Sequence, residues 1–164
     1  MKHWKNLGNN SYAFFDSEKE IGKFTFFNTL NSKAIATQNE QEFHFKRTGF
    51  WKSTVEISDK LGQKMAEIYP EKWYSNTYIL VYKNKNYQLV IRNNPLAEWV
   101  ILDNKKEILA YQLSTQNGKA TVKITSASAE IEVLFDYILW YLFRPIALEN
   151  TGEDLSFMLP LLVQ

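Results

Sequence analysis

The stretch AEIEVLFDYILWYLFRP, residues 129–145, decides how the rest of the chain must be arranged. It predicts a helix over about 128–144. Ser128 stands where an N-cap belongs, and Glu130 and Glu132 fall in the first turns, where the helix dipole favours anions. Arg144 suits the last turn, and Pro145 is expected to stop propagation. Between these marks, Ile131, Val133, Leu134, Phe135 and every residue from Tyr137 to Phe143 are apolar or aromatic, so they cover the whole circumference. Asp136 alone interrupts them. A helix apolar on all sides is enclosed by protein or by lipid. Seventeen residues at about 1.5 Å each give roughly 25 Å, short of the roughly 30 Å hydrocarbon core of a bilayer. Asp136 would also sit inside the lipid at a cost of a few kcal/mol. The enclosure is therefore expected to be protein.

Material for that enclosure precedes the helix. From about residue 12 to 125 the sequence reads as strand after strand, with a period of two in KFTFF (23–27), TVEI (54–57), YQLVIR (87–92) and KATVKIT (119–125). In the last of these Ala120, Val122 and Ile124 share one face, and Thr121, Lys123 and Thr125 share the other. SDKLG (58–62), KNKN (83–86), NNP (93–95), DNKK (103–106) and QNGK (116–119) supply turns, because Asn, Asp and Gly tolerate positive φ. The spacing gives roughly ten strands, while the polar stretch NSKAIATQNEQE (31–42) reads as a long loop. A weak repeat runs beneath the pattern. Val55, Ile57, Asp59 and Ala66 match Trp99, Ile101, Asp103 and Ala110, and Tyr12, Phe14 and Asp16 form a third copy with Gly22 one place early. A closed antiparallel barrel of about 10–12 strands can hold one helix along its axis. The expected fold is thus mainly β, a single domain over 1–164, with the C-terminal helix as its plug. The apolar tail, Leu155 to Val163, is expected to pack as a final strand or to clamp the barrel mouth.

Composition narrows the function classes. Nineteen basic residues against eighteen acidic leave a net charge of +1, which disfavours a nucleic-acid-binding domain. The absence of cysteine excludes disulfides, thiolate metal sites and cysteine nucleophiles. The N-terminal MKHWKNLGNNSYAFF lacks the apolar run of a signal peptide, and no stretch has the length of a membrane span, so a cytoplasmic protein is expected. Aromatic residues reach 15%, a surplus that suits strands.

Hairpins of the form VEISDKLGQKMAEI and WVILDNKKEILAYQL, closed by a hydrophobic C-terminal helix, resemble the tubby C-terminal-like superfamily. That group includes the tubby domain, the LURP-one-related plant proteins and the phospholipid scramblases. The resemblance covers roughly residues 12–145 and implies a barrel of about twelve strands around a central helix. Tubby domains bind phosphoinositide headgroups, but none of their site residues maps onto a position here. The acidic calcium-binding segment associated with scramblases has as its counterpart TVKITSASAEIE, which offers only Glu130 and Glu132 and makes no calcium loop.

No motif carries catalysis. His3 stands near an end expected to fray. His44 in EFHFKR should point outward between inward-facing Phe43 and Phe45, and two distant histidines without cysteine make no metal site. The carboxylate pairs Glu40/Glu42 and Glu153/Asp154 fall in polar stretches, where solvated acids are the default. Asp136 must find a hydrogen-bond partner or take up a proton. We therefore expect no enzyme, no cofactor and no metal. The basic residues supply the functional expectation. Lys83 and Lys85 crown one hairpin tip, Lys105 and Lys106 another, and Lys46, Arg47 and Lys52 fall near a third. Tips sharing one end of the barrel would make a cationic rim for anionic membrane lipid. WYSNTYILVYKNKNY interleaves aromatics with lysines as single-stranded nucleic-acid sites do, but near-neutral charge argues against that partner. The alternative is a protein-interaction or scaffold domain, with Trp4 or Trp73 as an exposed anchor.

Overall fold

The computed structural model describes residues 1–27, 33–49, 51, 53–93, 96–116, 119–127 and 130–151. Twelve strands come first: β1 (Lys2–Gly8), β2 (Ser11–Asp16), β3 (Lys19–Phe26), β4 (Lys33–Gln38), β5 (Gln41–Thr48), β6 (Thr54–Ser58), β7 (Lys64–Pro70), β8 (Thr77–Tyr82), β9 (Lys85–Asn93), β10 (Ala97–Asp103), β11 (Lys106–Gln116) and β12 (Lys119–Ser126). One helix, α1 (Val133–Thr151), follows. Each strand pairs antiparallel with the next, so the sheet is an unbroken meander from β1 to β12. It curls into a nearly closed barrel.

The helix lies inside, as its sequence requires. Residues 134–144 are all buried, among them Ile138, Leu139 and Trp140 at 0% exposure. Their aromatic contacts run round the wall. Trp140 stacks on Trp4 of β1 at 4.7 Å, Tyr137 meets Phe14, Phe24 and Phe43, and Tyr141 meets Phe26 and Phe45. Phe135 reaches Tyr82 and Tyr87, and Phe143 reaches Tyr111. Edge-to-face and offset pairs of this kind add to the burial of large apolar area.

Several expectations need correction. The stretch 31–42 is not a long loop: β4 runs through it and turns into β5 at residues 39–40. Ala34 and Ala36 are its core-facing residues, opposite Phe45 and Phe43; such small side chains give a weak periodic signal yet fit beneath large neighbours. The N-terminus does not fray, because β1 pairs with β2 and Trp4 is buried at 2% exposure, so Trp4 is no surface anchor. β1 and β4 bring the count from ten to twelve. The helix begins at Val133, leaving Glu130 and Glu132 before it, and it passes through Pro145 rather than stopping there. Pro145 cannot donate to the carbonyl four residues earlier; enclosure by the barrel outweighs that local loss. Ser128, the tail from Leu155 to Val163 and the pair Glu153/Asp154 lie outside the described residues.

The repeat has a structural counterpart. Hairpins β2–β3, β6–β7 and β10–β11 shift register at Phe14/Phe15, Ile57/Ser58 and Ile101/Leu102. Each shift leaves one extra residue on the returning strand, respectively Ile21, Met65 and Ile108, which is a β-bulge. The bulges recur every fourth strand. Gly22, Ala66 and Leu109 are then the equivalent partners of Phe14, Ile57 and Ile101. Ala110 is one place beyond, opposite Val100 in a small second apolar cluster. Gly22 is there for space. A Cβ at this position would collide with the Thr37 carbonyl oxygen and the Tyr137 hydroxyl.

Candidate functional site

The meander sorts the connections to two ends. Links 17–18, 39–40, 59–63, 83–84 and 104–105 lie at the end where the chain enters the helix; those after β1, β3, β5, β7, β9 and β11 lie at the end where the helix leaves. We call these the entry end and the exit end.

Among the described residues the barrel interior is filled by side chains of the helix and the wall. Its interior polar groups bond to one another and to the wall. Asp136, fully buried, accepts a hydrogen bond from Lys2 Nζ at 2.7 Å and another from the Tyr111 hydroxyl at 3.1 Å. Tyr111 in turn accepts from Trp4 Nε1 at 2.9 Å. Burial raises the Asp136 carboxyl above its ordinary range, although Lys2 and Tyr111 pull the other way. Arg144, near the exit end, donates Nε to the Tyr12 hydroxyl and Nη2 to Asn10 Oδ1, both at 2.8 Å, and lies 4.3 Å over the Phe26 ring. Every one of these contacts ties the helix or β1 to the wall. Among the described residues no group of three or more His, Asp or Glu is placed to hold a metal. His44 faces outward, as expected, and its Nε2 lies 2.9 Å from Glu42.

The entry end brings the four candidate lysines together. Its hairpins are tight: Lys83 and Asn84 both have positive φ, as do Asn104 and Lys105, the conformation of two-residue turns that match strand twist. Because β9 pairs with β10, the two tips are neighbours. Their charges, however, are partly committed. Lys83 Nζ binds Glu132 and Lys85 Nζ binds Asp103, each at 2.5 Å. Tyr82 also donates to Glu132. Burial opposes ionisation of Glu132, but the bonds from Lys83 and Tyr82 prevail and hold its carboxyl below the ordinary range. Lys105 and Lys106 form no ion pair among the described residues. Asp16, Glu18, Glu40 and Asp59 stand at the same end, so its charge is mixed. Lys46 and Arg47 end β5 and belong to the opposite end; Lys52 lies outside the described residues.

The exit end differs. The links after β3, β5 and β7 span 27–32, 49–53 and 71–76. They expose large aromatics: Phe27 at 61%, Trp51 at 83%, Trp73 at 91% and Tyr74 at 67%. Trp73 and Tyr74 pack edge-to-face at 5.2 Å. Lys72 precedes them, also exposed. On the outer wall below, Lys33 stands directly opposite Lys46 across β4 and β5. Phe27, Ile35, His44 and these two lysines line an open groove of about 310 Å³. Like charges opposite each other are unfavourable in a sheet, although Glu56, 3.4 Å from Lys46, offsets one of them. Sequence reasoning marked Trp73 but not the cluster, because adjacency of the links follows only from the strand order.

Compared with family models, curated proteins and solved structures, the chain matches none. No helix among the described residues is long and apolar enough to cross a membrane.

Proposed function

We propose that this protein is a non-enzymatic binding module that docks on an anionic membrane surface through the exit end of its barrel. Trp51, Trp73 and Tyr74 would sit at headgroup depth, where aromatic rings that are apolar in body and polar at the edge are favoured. Lys33, Lys46 and Lys72 would meet the headgroups, each lysine near such a surface contributing about 1 kcal/mol. The observation that carries this reading is Trp73 at 91% exposure beside Tyr74, in a link next to the one that bears Trp51. A cytoplasmic setting, facing the anionic leaflet, belongs to the same proposal. So does membership of the tubby C-terminal-like superfamily, which twelve antiparallel strands around a helix support. A headgroup site on Lys83, Lys85, Lys105 and Lys106 is the weaker version, since two of the four already serve carboxylates.

Co-sedimentation with neutral and phosphatidylserine-containing vesicles tests it, at low and physiological salt. Binding to the anionic vesicles alone, weakened by salt and lost in Trp51→Ser/Trp73→Ser, is expected; no binding to any vesicle overturns it. The edge-to-face Trp73–Tyr74 pair favours a second reading, a protein partner anchored on those rings, since Trp and Tyr dominate interface hot spots. Salt-tolerant binding of one protein, without vesicle binding, selects that reading.

A further inference from the structure

The groove on the outer wall of β4 and β5 has a chemistry of its own. Alternate residues of a strand share a face, and Ala34, Phe43, Phe45 and Ile57 are buried toward the helix. Lys33, Ile35, His44, Lys46, Glu56 and Ser58 therefore point outward. Strand pairing sets them in two rows. Lys33 stands opposite Lys46, and Lys46 opposite Glu56; one step toward the entry end, Ile35 stands opposite His44, and His44 opposite Ser58. Phe27 extends the first row on the β3 side: its amide donates to the Lys33 carbonyl oxygen at 3.0 Å, and its side chain is largely exposed. One row offers an aromatic ring and two ammonium groups, the other an apolar side chain, an imidazole and a hydroxyl. The space of about 310 Å³ between them matches the smaller sites that proteins build for small molecules.

The charges of this groove leave room for an anion. Lys46 Nζ lies 3.4 Å from Glu56, a loose and exposed pair, and His44 Nε2 lies 2.9 Å from Glu42. Lys33 has no ion-pair partner among the described residues. Facing residues of an antiparallel pair hold their Cβ atoms about 5 Å apart, and like charges so placed repel. An anion between them removes that cost, and both ammonium groups can reach the oxygens of one phosphate. From this arrangement we infer that the groove binds a small soluble phosphate monoester that carries a flat ring, of the nucleoside monophosphate class. Such a phosphate is nearly doubly charged at neutral pH. It therefore outcompetes the single Glu56 carboxylate for Lys46 while also engaging Lys33. A ring lying over Ile35 has Phe27 on one side and His44 on the other, both able to stack, and the Ser58 hydroxyl beyond His44 to bond its polar edge. The inference does not rest on the membrane reading. Both use Lys33 and Lys46, but the anchors of that reading are Trp51, Trp73 and Tyr74, and none of them lines the groove.

Titration of the nitrogen-15-labelled full-length chain with adenosine monophosphate tests this, at fixed ionic strength and beside adenosine and inorganic phosphate. The nucleotide should shift the amide signals of Ile35, His44, Lys46 and Ser58 saturably. Adenosine and phosphate should each bind at least about tenfold more weakly, the loss of a charge-assisted contact or of a stacked ring. In Lys33→Ala/Lys46→Ala the shifts should vanish while the rest of the spectrum and the urea midpoint hold, because both side chains are exposed. Trp51→Ser/Trp73→Ser should keep the shifts, so nucleotide binding and vesicle binding succeed or fail separately. No saturable shift with any of the three probes would overturn the inference. So would shifts from inorganic phosphate as strong as those from the nucleotide, shifts centred on Lys83, Lys85, Lys105 and Lys106, or shifts that survive Lys33→Ala/Lys46→Ala.

Discussion

The entry and exit ends of the barrel are made by the same twelve strands and use their side chains in opposite ways. At the entry end the links are mostly two residues long, their positive-φ Asn and Lys positions close tight turns, and the charges answer one another: Lys83 with Glu132, Lys85 with Asp103, Lys2 with Asp136. At the exit end the links after β3, β5 and β7 are longer and carry exposed aromatic rings. Termination of strands needs only the first arrangement. Exposed Trp and Tyr are what a binding surface requires. The comparison teaches that charged hairpin tips need not be binding sites, and the proposed binding surface lies with the aromatics.

The variants that probe this contrast fall in a clear order of effect. The largest acts on the wall between the ends. Gly22→Ala places a methyl against the Thr37 carbonyl and the Tyr137 hydroxyl, so a loss of about 4 kcal/mol or more is expected, seen as failure to accumulate folded protein or as a large drop in the urea midpoint. Tight packing of β3 against β4 and the helix is what it tests.

Next comes the ion pair at the entry end. Lys2→Ala leaves the fully buried Asp136 carboxylate without its cation, at a cost of about 3 kcal/mol at neutral pH. The pH dependence has a definite sign. Asp136 titrates above the ordinary carboxylate value because burial disfavours its charged form. Between those two values the folded chain therefore holds a proton that the unfolded chain has released, and stability from this group is fully present below the ordinary value and lost as pH rises through the folded one. In Lys2→Ala the folded value climbs further, so its deficit should shrink as pH falls. Urea titrations of both proteins across the acid range check this. A deficit that grows toward low pH would mean that Lys2 does not act through Asp136.

At the exit end, stability and binding should part company. Trp73→Ser should move stability by no more than about 0.5 kcal/mol and weaken binding at least about tenfold, the loss of one hot-spot anchor. Smallest of all, Lys105→Ala/Lys106→Ala should leave both thermal midpoint and binding within error, since neither side chain has an ion-pair partner among the described residues.

Much of this was legible in the sequence, for physical reasons that differ by element. The helix announces itself because no soluble helix exposes Ile138, Leu139, Trp140 and Tyr141 on all sides, and that demand alone implies an enclosing barrel. Strands such as β12 show because apolar and polar residues alternate. β4 hides because its core face is two alanines, and β1 because Trp4 is flanked by lysines and asparagine. The helix start is misplaced by five residues because Glu132, good for a first turn, is instead held at the rim by Tyr82 and Lys83. Pro145 misleads because enclosure overrides a local stop signal. The candidate site is the least legible. Lys83 and Lys85 read as free cations until the topology brings Glu132 and Asp103 beside them, and Trp51 and Trp73 become one surface only when strand order makes their links neighbours.

The division between the ends rests on one measurement above the others: co-sedimentation with phosphatidylserine-containing vesicles of two variants in a single series, Trp51→Ser/Trp73→Ser and Lys83→Ala/Lys85→Ala/Lys105→Ala/Lys106→Ala. The account predicts that the tryptophan variant stays in the supernatant and the lysine variant sediments like the unaltered chain. The reverse pattern, with binding kept by the tryptophan variant and lost with the four lysines, would contradict it and move the binding surface to the entry end.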